Sequence, residues 1–404
     1  MSTHQIVVFG ATSFVGQIMC RYLVERQSQS RLRWAMAGRS IGKLEQLRAE
    51  LGPQAIDVPL IVADAADEES LRAMCASTDV VASTVGPYAL YGSPLVKVCA
   101  ETGTDYCDLT GEVQWIARML AEHEQTAKQS GARIVHCCGF DSVPSDLGVH
   151  FLQREAQRRF GQPCVRVKLR VRVRGGFSGG TVASLTNVVK ESVTDPSLRK
   201  LLANPYAICP DPSAYTASQP NVSFTEYDAD ARSWVAPFVM AGINTRVVFR
   251  SNALLDSAYG THFRYDEAML TGPGLKGRAM AAGVATGLGL FIGAVVLPPS
   301  RWLLEKFVLP KPGEGPSPEQ QLNGFYDYRF FGETADGQKL RVKVTGDRDP
   351  GYGSTGKILG EAAACLAQDV PKAGGGFWTP ATLLGDRLVS RLASHAGLTF
   401  EVLD

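Results

Sequence analysis

The chain has 404 residues, is 45% hydrophobic and 20% charged, and carries 41 Lys and Arg against 40 Asp and Glu. That composition excludes a disordered or fibrous protein and leaves room for two domains. A formal charge of +1 gives no net-charge reason for binding nucleic acid or an anionic membrane. Nine cysteines lack both C-x-x-C and zinc-ligand spacing, which predicts reduced thiols, no structural metal and a cytoplasmic protein. The N-terminal residues show no secretory pattern and reach a strand by Ile6.

Strand and helix patterns alternate over the first 140 residues. Strands are predicted at Ile6–Phe9, Leu32–Ala37, Leu60–Val62, Asp79–Thr84, Tyr106–Leu109 and Arg133–Cys138, with Cys137 and Cys138 on opposite faces. Helices are predicted at Val15–Glu25, Ile41–Leu51, Glu68–Ala76, Pro94–Thr102 and Val113–Ser130. Such β–α repetition defines an α/β fold built on a Rossmann-like, doubly wound parallel sheet. The rhythm changes after Gly139. A helix over Pro144–Phe160 precedes an alternating strand, Cys164–Val173, whose basic residues read as one wet face. A helix over Thr181–Val193 follows, then strand candidates at Val222–Tyr227 and Thr245–Phe249. Residues 325–347 read as an antiparallel pair turning at Asp336-Gly337, and helices at Thr355–Gln368 and Pro380–Ser394 precede a last strand, Leu398–Val402. The proline cluster 309–318 reads as an ordered loop or a linker.

The opening turn, GATSFVG at 10–16, has the form of a dinucleotide site. Gly10 turns the chain, Gly16 lets helix and strand approach, and the peptide N–H groups of Thr12, Ser13, Phe14 and Val15 can face a pyrophosphate. Ser13 stands where the fingerprint has its middle glycine; its hydroxyl is a further phosphate donor. A tight turn without ligand is the bland alternative. After the second strand come Gly38-Arg39-Ser40 and Lys43, where an NAD-type site has a carboxylate. Arg39 can take a 2′-phosphate bidentately, with Ser40 and Lys43 as further donors, so the pattern favours NADP(H). Asp64 ends the third strand, either near an adenine amino group or as a helix cap. Val85 and Gly86 open the loop after the fourth strand, at the nicotinamide side, and Tyr88 is there to stack, donate a proton or simply pack.

These segments together resemble the saccharopine dehydrogenase-like family, in its trans-acting enoyl reductase branch. The stretches that carry the likeness are GATSFVG, AGRSIGKL (37–44), STVGPYALYGSPLV (83–96), GTDYCDLTGE (103–112), CCGFDSVPSDLG (137–148), LPKPGEGPS (309–317) and DRDPGYGSTGKI (347–358). The resemblance implies a nucleotide domain at 1–140, a second α/β (α+β) substrate or oligomerisation domain at 141–350, and a segment at 351–404 returning to the first domain. It also implies enoyl reduction of a lipid or polyketide acyl chain, free or carrier-bound, with NADPH as hydride donor. An amino-acid dehydrogenase of saccharopine type, or a non-catalytic nucleotide-binding protein docked on lipid or a partner, are the alternatives. The candidate proton donors are Tyr88, Asp141 and Ser142, the last two just before a helix N-terminus; capping and loop bonding are their structural alternatives. Asp105, Tyr106 and Asp108 are similarly placed but open to a structural reading.

Residues 279–300 contain no charge and lie between Arg278 and Arg301. Their length suffices for a membrane span, while Gly283, Gly287, Gly289 and Gly293 weaken the segment as an isolated helix. Three roles are open: an acyl-chain site or homodimer contact, peripheral docking on lipid, and a true span.

Overall fold

The computed structural model describes residues 2–30, 32–175, 179–296, 323–371 and 374–403, with isolated positions between 299 and 319. Six parallel strands come from the N-terminal third: β1 (His4–Phe9), β2 (Trp34–Gly38), β3 (Leu60–Val62), β4 (Thr78–Ser83), β5 (Asp105–Asp108) and β6 (Arg133–Val135). With β13 (Gly376–Trp378) they form one sheet in the order β13-β6-β5-β4-β1-β2-β3. Strands leave β1 in opposite directions, through β2 on one side and β4 on the other, so the crevice outside their carboxyl ends is the ligand position of a doubly wound sheet. The register aligns Phe9 with Ala37 and with Ser83, which brings Gly10, Gly38 and Thr84 to one edge.

Burial explains why these runs are strands. Ile6, Val7 and Val8 are fully buried and Phe9 nearly so, the continuous apolar pattern of a sheet covered on both faces. Each such side chain stabilises the fold by roughly 1.5–3 kcal/mol. Helices Phe14–Ser30 and Thr355–Gln368 pack against each other beneath the sheet. Gly356 and Gly360 permit this: a Cβ on Gly356 would lie 2.9 Å from Ile18.

The second sheet has the order β14-β12-β11-β7-β10-β9-β8. Its strands are β7 (Cys164–Arg174), β8 (Glu226–Asp228), β9 (Ser233–Pro237), β10 (Arg264–Gly272), β11 (Phe325–Thr334), β12 (Lys339–Gly346) and β14 (Leu398–Leu403). Only β7 and β10 run parallel; the other pairs are antiparallel. The C-terminal segment feeds both sheets, since β13 pairs with β6 and β14 with β12. Helix Val143–Phe160 packs on β11 and β12 of the second sheet.

Several sequence expectations are corrected. Thr245–Phe249 is no strand; it lies inside helix Ala241–Leu254. Its β-branched residues suggested extension, but Ile243, Val247 and Ser251 form a buried stripe at helical spacing. Val222–Tyr227 shrinks to the short β8. Strands β9 and β10 and the helix Pro196–Ala203 were not foreseen. Cys137 and Cys138 lie past the end of β6, with Cys137 at φ 62° rather than in a strand. The wet face expected on β7 is closed at Arg170, which is 1% exposed and paired with Asp228 at 2.8 Å and Asp266 at 2.6 Å. The proline cluster 309–318, and with it the LPKPGEGPS stretch, lies outside the described residues except at Ser317. All nine cysteines are buried and free of disulfides.

Candidate functional site

The turn after β1 is shaped by its two glycines. Gly10 has φ +84°, and a Cβ there would lie 2.6 Å from Val85 Cγ2. A Cβ on Gly16 would lie 2.2 Å from the Gly10 carbonyl oxygen. Only glycine fits either position. The Gly16 N–H is capped by Ser13 Oγ at 2.9 Å, and that hydroxyl also lies 2.9 Å from Thr84 Oγ1. Thr84 in turn donates to the Gly10 carbonyl at 2.9 Å. The Ser13 oxygen thus caps the helix, and the hydroxyl also contacts Thr84. Among the described residues the peptide N–H groups of Thr12, Phe14 and Val15 form no hydrogen bond. Three free donors at a helix N-terminus fit a pyrophosphate.

Arg39 and Ser40 follow β2 on the same edge, exposed, with Lys43 exposed a turn later. Neither Arg39 nor Lys43 has an ion-pair partner among the described residues. Ser40 caps the Ile41–Glu50 helix by accepting from Lys43 N at 3.4 Å, which leaves its hydroxyl proton free to donate. Asp64 is half-buried after β3 and accepts from Ala66 N at 3.0 Å, while Asp67 caps the following helix. Gly10, Arg39, Asp64 and Val85-Gly86 therefore meet along one sheet edge, and the free donors together with two unpaired cations suit a nucleotide bearing a 2′-phosphate.

The loop after β4 departs from expectation at Tyr88. Gly86 is exposed, the Gly86-Pro87 bond is cis, and Tyr88 turns inward to 4% exposure. Its hydroxyl donates to the Ser83 carbonyl at 2.9 Å, and its ring packs on Trp115. Burial raises its pKa well above the usual phenol value, with the Asp108 carboxylate adding to the rise. Tyr88 is corrected to a packing residue. Glu112 fixes the loop by accepting from Tyr88 N at 2.8 Å and Ala89 N at 2.9 Å.

Ser142 is corrected as well. It is 1% exposed and donates to Asn244 Oδ1 at 2.9 Å. Asn244 continues to Ser145 at 3.2 Å and to Glu267 at 2.9 Å, and Glu267 accepts from Tyr265 OH at 2.7 Å. Beside this network Asp146 accepts from Ser251 at 2.5 Å and Ala381 N at 2.8 Å. Burial raises both acids to about 7. These contacts span long sequence separations, and no local pattern announces them. Asp105 and Asp108 are structural too. Asp105 pairs with Arg133, while Asp108 accepts from Tyr106 OH at 3.0 Å and lies 2.7 Å from His136 Nδ1.

Asp141 is different. Burial raises its carboxyl to about 6, and among the described residues it has no hydrogen-bond partner. Its charge is felt by two phenols, Tyr328 and Tyr352. Both are fully buried, and neither hydroxyl has a partner among the described residues. Tyr352 meets the nucleotide turn directly, its ring 4.5 Å from Phe14. Tyr328, on β11, contacts Phe140 and Phe238. Buried polar groups without partners are rare and each calls for a reason, a catalytic role among them. Neither tyrosine is among the candidates read from the sequence, although Tyr352 lies within DRDPGYGSTGKI.

Phe238 also walls a cleft of about 740 Å³ in the second unit. Tyr206, Tyr215, Phe249 and Tyr265 supply aromatic surface, and Arg246 and Glu267 supply polar groups. Arg246 has no carboxylate partner among the described residues, and its Nε is buried without a partner.

A switch-point turn with free phosphate donors, set against a second mixed sheet, defines a two-sheet, dinucleotide-dependent dehydrogenase. Comparisons narrow the class. Residues 6–135 match the saccharopine dehydrogenase NADP binding domain. The chain is 38% identical over 402 residues to a trans-acting enoyl reductase of Mycobacterium ulcerans strain Agy99, covering 96% of this chain and 95% of that one. It is equally similar, 38% over 403 residues, to a trans-acting enoyl reductase of Mycobacterium bovis BCG Pasteur, with the same coverage of 96% and 95%. Its fold is similar to that of apo saccharopine dehydrogenase (L-Glu forming) from Saccharomyces cerevisiae, with TM-score 0.56 at 14% identity, covering 99% of this chain and 100% of that one. The chain belongs to the saccharopine dehydrogenase-like family, among the trans-acting enoyl reductases. It is an NAD(P)-dependent oxidoreductase, and its cofactor is NADP(H).

Proposed function

We propose that this protein reduces the α,β double bond of a lipid or polyketide acyl thioester, carried on a partner synthase or on a free carrier. The observation that carries this reading is a pair of buried phenols, Tyr328 and Tyr352, that have no hydrogen-bond partner among the described residues and feel the Asp141 charge, with Tyr352 set against the nucleotide turn. Enoyl reduction needs a proton donor and a stabiliser for a developing enolate, and no metal. NADPH, when bound, supplies the hydride. Thr12, Phe14 and Val15 would hold its pyrophosphate, and Arg39, Ser40 and Lys43 its 2′-phosphate. Asp64, Val85 and Gly86 complete the proposed nucleotide contacts.

The remaining steps fall to side chains. A carboxyl held at about 6 is still partly protonated near neutral pH, so Asp141 can give a proton to the α-carbon. A phenol kept neutral by burial, as Tyr352 is, can donate to the enolate oxygen without ionising. The dry surroundings strengthen such a bond. The cleft behind Phe238 offers the aromatic surface of Tyr206, Tyr215 and Phe249 to an acyl chain and polar side chains to its carrier arm; Arg246 at its wall is held by the Gly242 and Leu202 carbonyls and has no carboxylate partner among the described residues.

The test is NADPH oxidation by the purified protein with enoyl thioesters of increasing chain length, beside an imine of saccharopine type. Turnover with the enoyl thioester alone is expected. Imine turnover would establish an amino-acid dehydrogenase instead. NADPH binding without turnover of either substrate would leave a nucleotide-binding protein that does no redox chemistry.

A further inference from the structure

The helix Gly274–Val296 is unusual for a protein in water. Its most apolar 18-residue window has mean hydropathy 2.0, yet only 17% of that window is buried. Gly277, Ala281 and Ala285 form a narrow buried stripe, Val295 is buried near the far end, and the helix rests on β9 and β10. Outward, Leu275 is 84%, Met280 60% and Leu290 70% exposed. Among the described residues nothing lies within 4 Å of where a Cβ would stand on Gly283, Gly287, Gly289 or Gly293. Each interior glycine weakens a helix by about 1 kcal/mol relative to alanine, in part because it opens the backbone to water. Lipid removes that competition for the backbone hydrogen bonds.

What surrounds the helix indicates what covers it. At its start, the Arg278 guanidinium lies 5.2 Å over the Trp234 ring, and Trp234 meets Tyr227 at 5.7 Å. Tyr227 and Phe224 are more than half exposed. Lys276 and Arg278 are exposed and have no carboxylate partner among the described residues. Beyond the far end, Trp302 is 55% exposed. Aromatic rings beside the helix and two cations in its first turns, ahead of the charge-free run from 279 to 296, are the composition of a bilayer interface, and the unmatched cations complement anionic headgroups.

We propose that Gly274–Val296 docks the protein on an anionic lipid bilayer, lying in the plane of the interface with its Leu275, Met280 and Leu290 face in the acyl region. The stripe held by β9 and β10 rules out entry of the whole helix into the hydrocarbon core. The helix also packs on Gly179–Thr194, whose Ser184 donates to Glu112 at 2.9 Å, and Glu112 holds the loop after β4. On the enoyl reductase reading, this docking sets the site beside the phase from which an apolar acyl chain comes.

The test is flotation of the full chain with vesicles of phosphatidylcholine, alone or mixed with phosphatidylglycerol, for wild type, Leu290→Asp and Lys276→Glu. NADPH binding by each variant reports the fold. Wild type is expected to float with the anionic vesicles. Leu290→Asp should lower its partition at least roughly tenfold, and Lys276→Glu roughly fivefold on anionic vesicles only. Wild type that fails to float with either composition overturns the proposal, as does Leu290→Asp that floats like wild type. A dimer in sedimentation equilibrium that Leu290→Asp dissociates, without flotation, assigns the face to a second copy of the chain. None of these readouts uses turnover, so docking can fail while the reductase stands, and the reverse.

Discussion

Removing the Arg39 side chain separates recognition of the 2′-phosphate from everything else the residue could do. Arg39 is exposed and makes no ion pair within the described residues, so Arg39→Ala breaks no fold contact and should change stability by less than about 0.5 kcal/mol. A charge-assisted bond to a phosphate contributes about 1.5–3 kcal/mol. Coulomb's law in a water-like dielectric gives a similar figure, about 1 kcal/mol per unit charge at 4 Å against a phosphate of nearly two charges. NADPH affinity should therefore fall roughly 10- to 150-fold. NADH has no phosphate there, and its affinity should stay within about twofold. Lys43, also unpaired, should preserve some preference for NADPH until it too is removed. The site is open to solvent, so salt should shrink the gap between wild type and variant. Titration of nicotinamide fluorescence with both nucleotides, at low and high salt, measures all of this. Equal losses for NADPH and NADH, or no loss for either, would refute the assignment.

Other perturbations probe the turn, the proton donors and the buried acids. Gly16→Ala must displace the Gly10 carbonyl, 2.2 Å from the new methyl, and should abolish nucleotide binding in the same titration. Ser13→Gly removes only a cap; melting should show a loss of a few tenths of a kcal/mol, with NADPH affinity changed less than about threefold. Tyr352→Phe removes a hydroxyl that has no partner, so stability should hold while kcat falls roughly 10²-fold or more. Tyr88→Phe should do the opposite, costing about 1 kcal/mol in denaturant with kcat nearly kept. As a general acid at about 6, Asp141 should make kcat decline as pH rises through that value, and Asp141→Asn should remove that limb. Glu267 is raised by burial from 4.5 to about 7. Its folded value exceeds its unfolded one, so its contribution is full below about pH 4.5 and is lost as pH rises through 7. Relative to Glu267→Gln, wild type should lose about 3 kcal/mol across that window; a difference independent of pH would show that the carboxyl does not titrate there.

The residues legible in the sequence are those whose role is set by their neighbours in the chain. A β–α alternation imposes parallel strands, and parallel strands impose a common carboxyl edge, so Gly10, Arg39, Asp64 and Gly86 could be placed together from spacing alone. The residues that misled are those whose orientation is set across the fold. Tyr88 has the position of a donor, but the free carbonyl of Ser83 and the Trp115 ring draw it inward. Ser142 has the position of an N-cap or a catalyst, but its hydroxyl donates a hydrogen bond to Asn244, 102 residues later. Thr245–Phe249 has strand-forming residues, yet helix formation buries Ile243 and Val247, and burial outweighs a propensity of less than about 1 kcal/mol per residue. Tyr328 and Tyr352 show the same limit from the other side. Each stands in an apolar or glycine-rich run that reads as packing. Only the return of the C-terminal third to the nucleotide turn sets Tyr352 against Phe14 and leaves two phenols without partners near one carboxyl. On the proposed mechanism, proton delivery is a property of the seam between the two sheets. The nucleotide turn is local and robust to changes elsewhere, whereas substitutions along β11 or in the Pro350–Ser354 turn should alter turnover while leaving NADPH affinity intact.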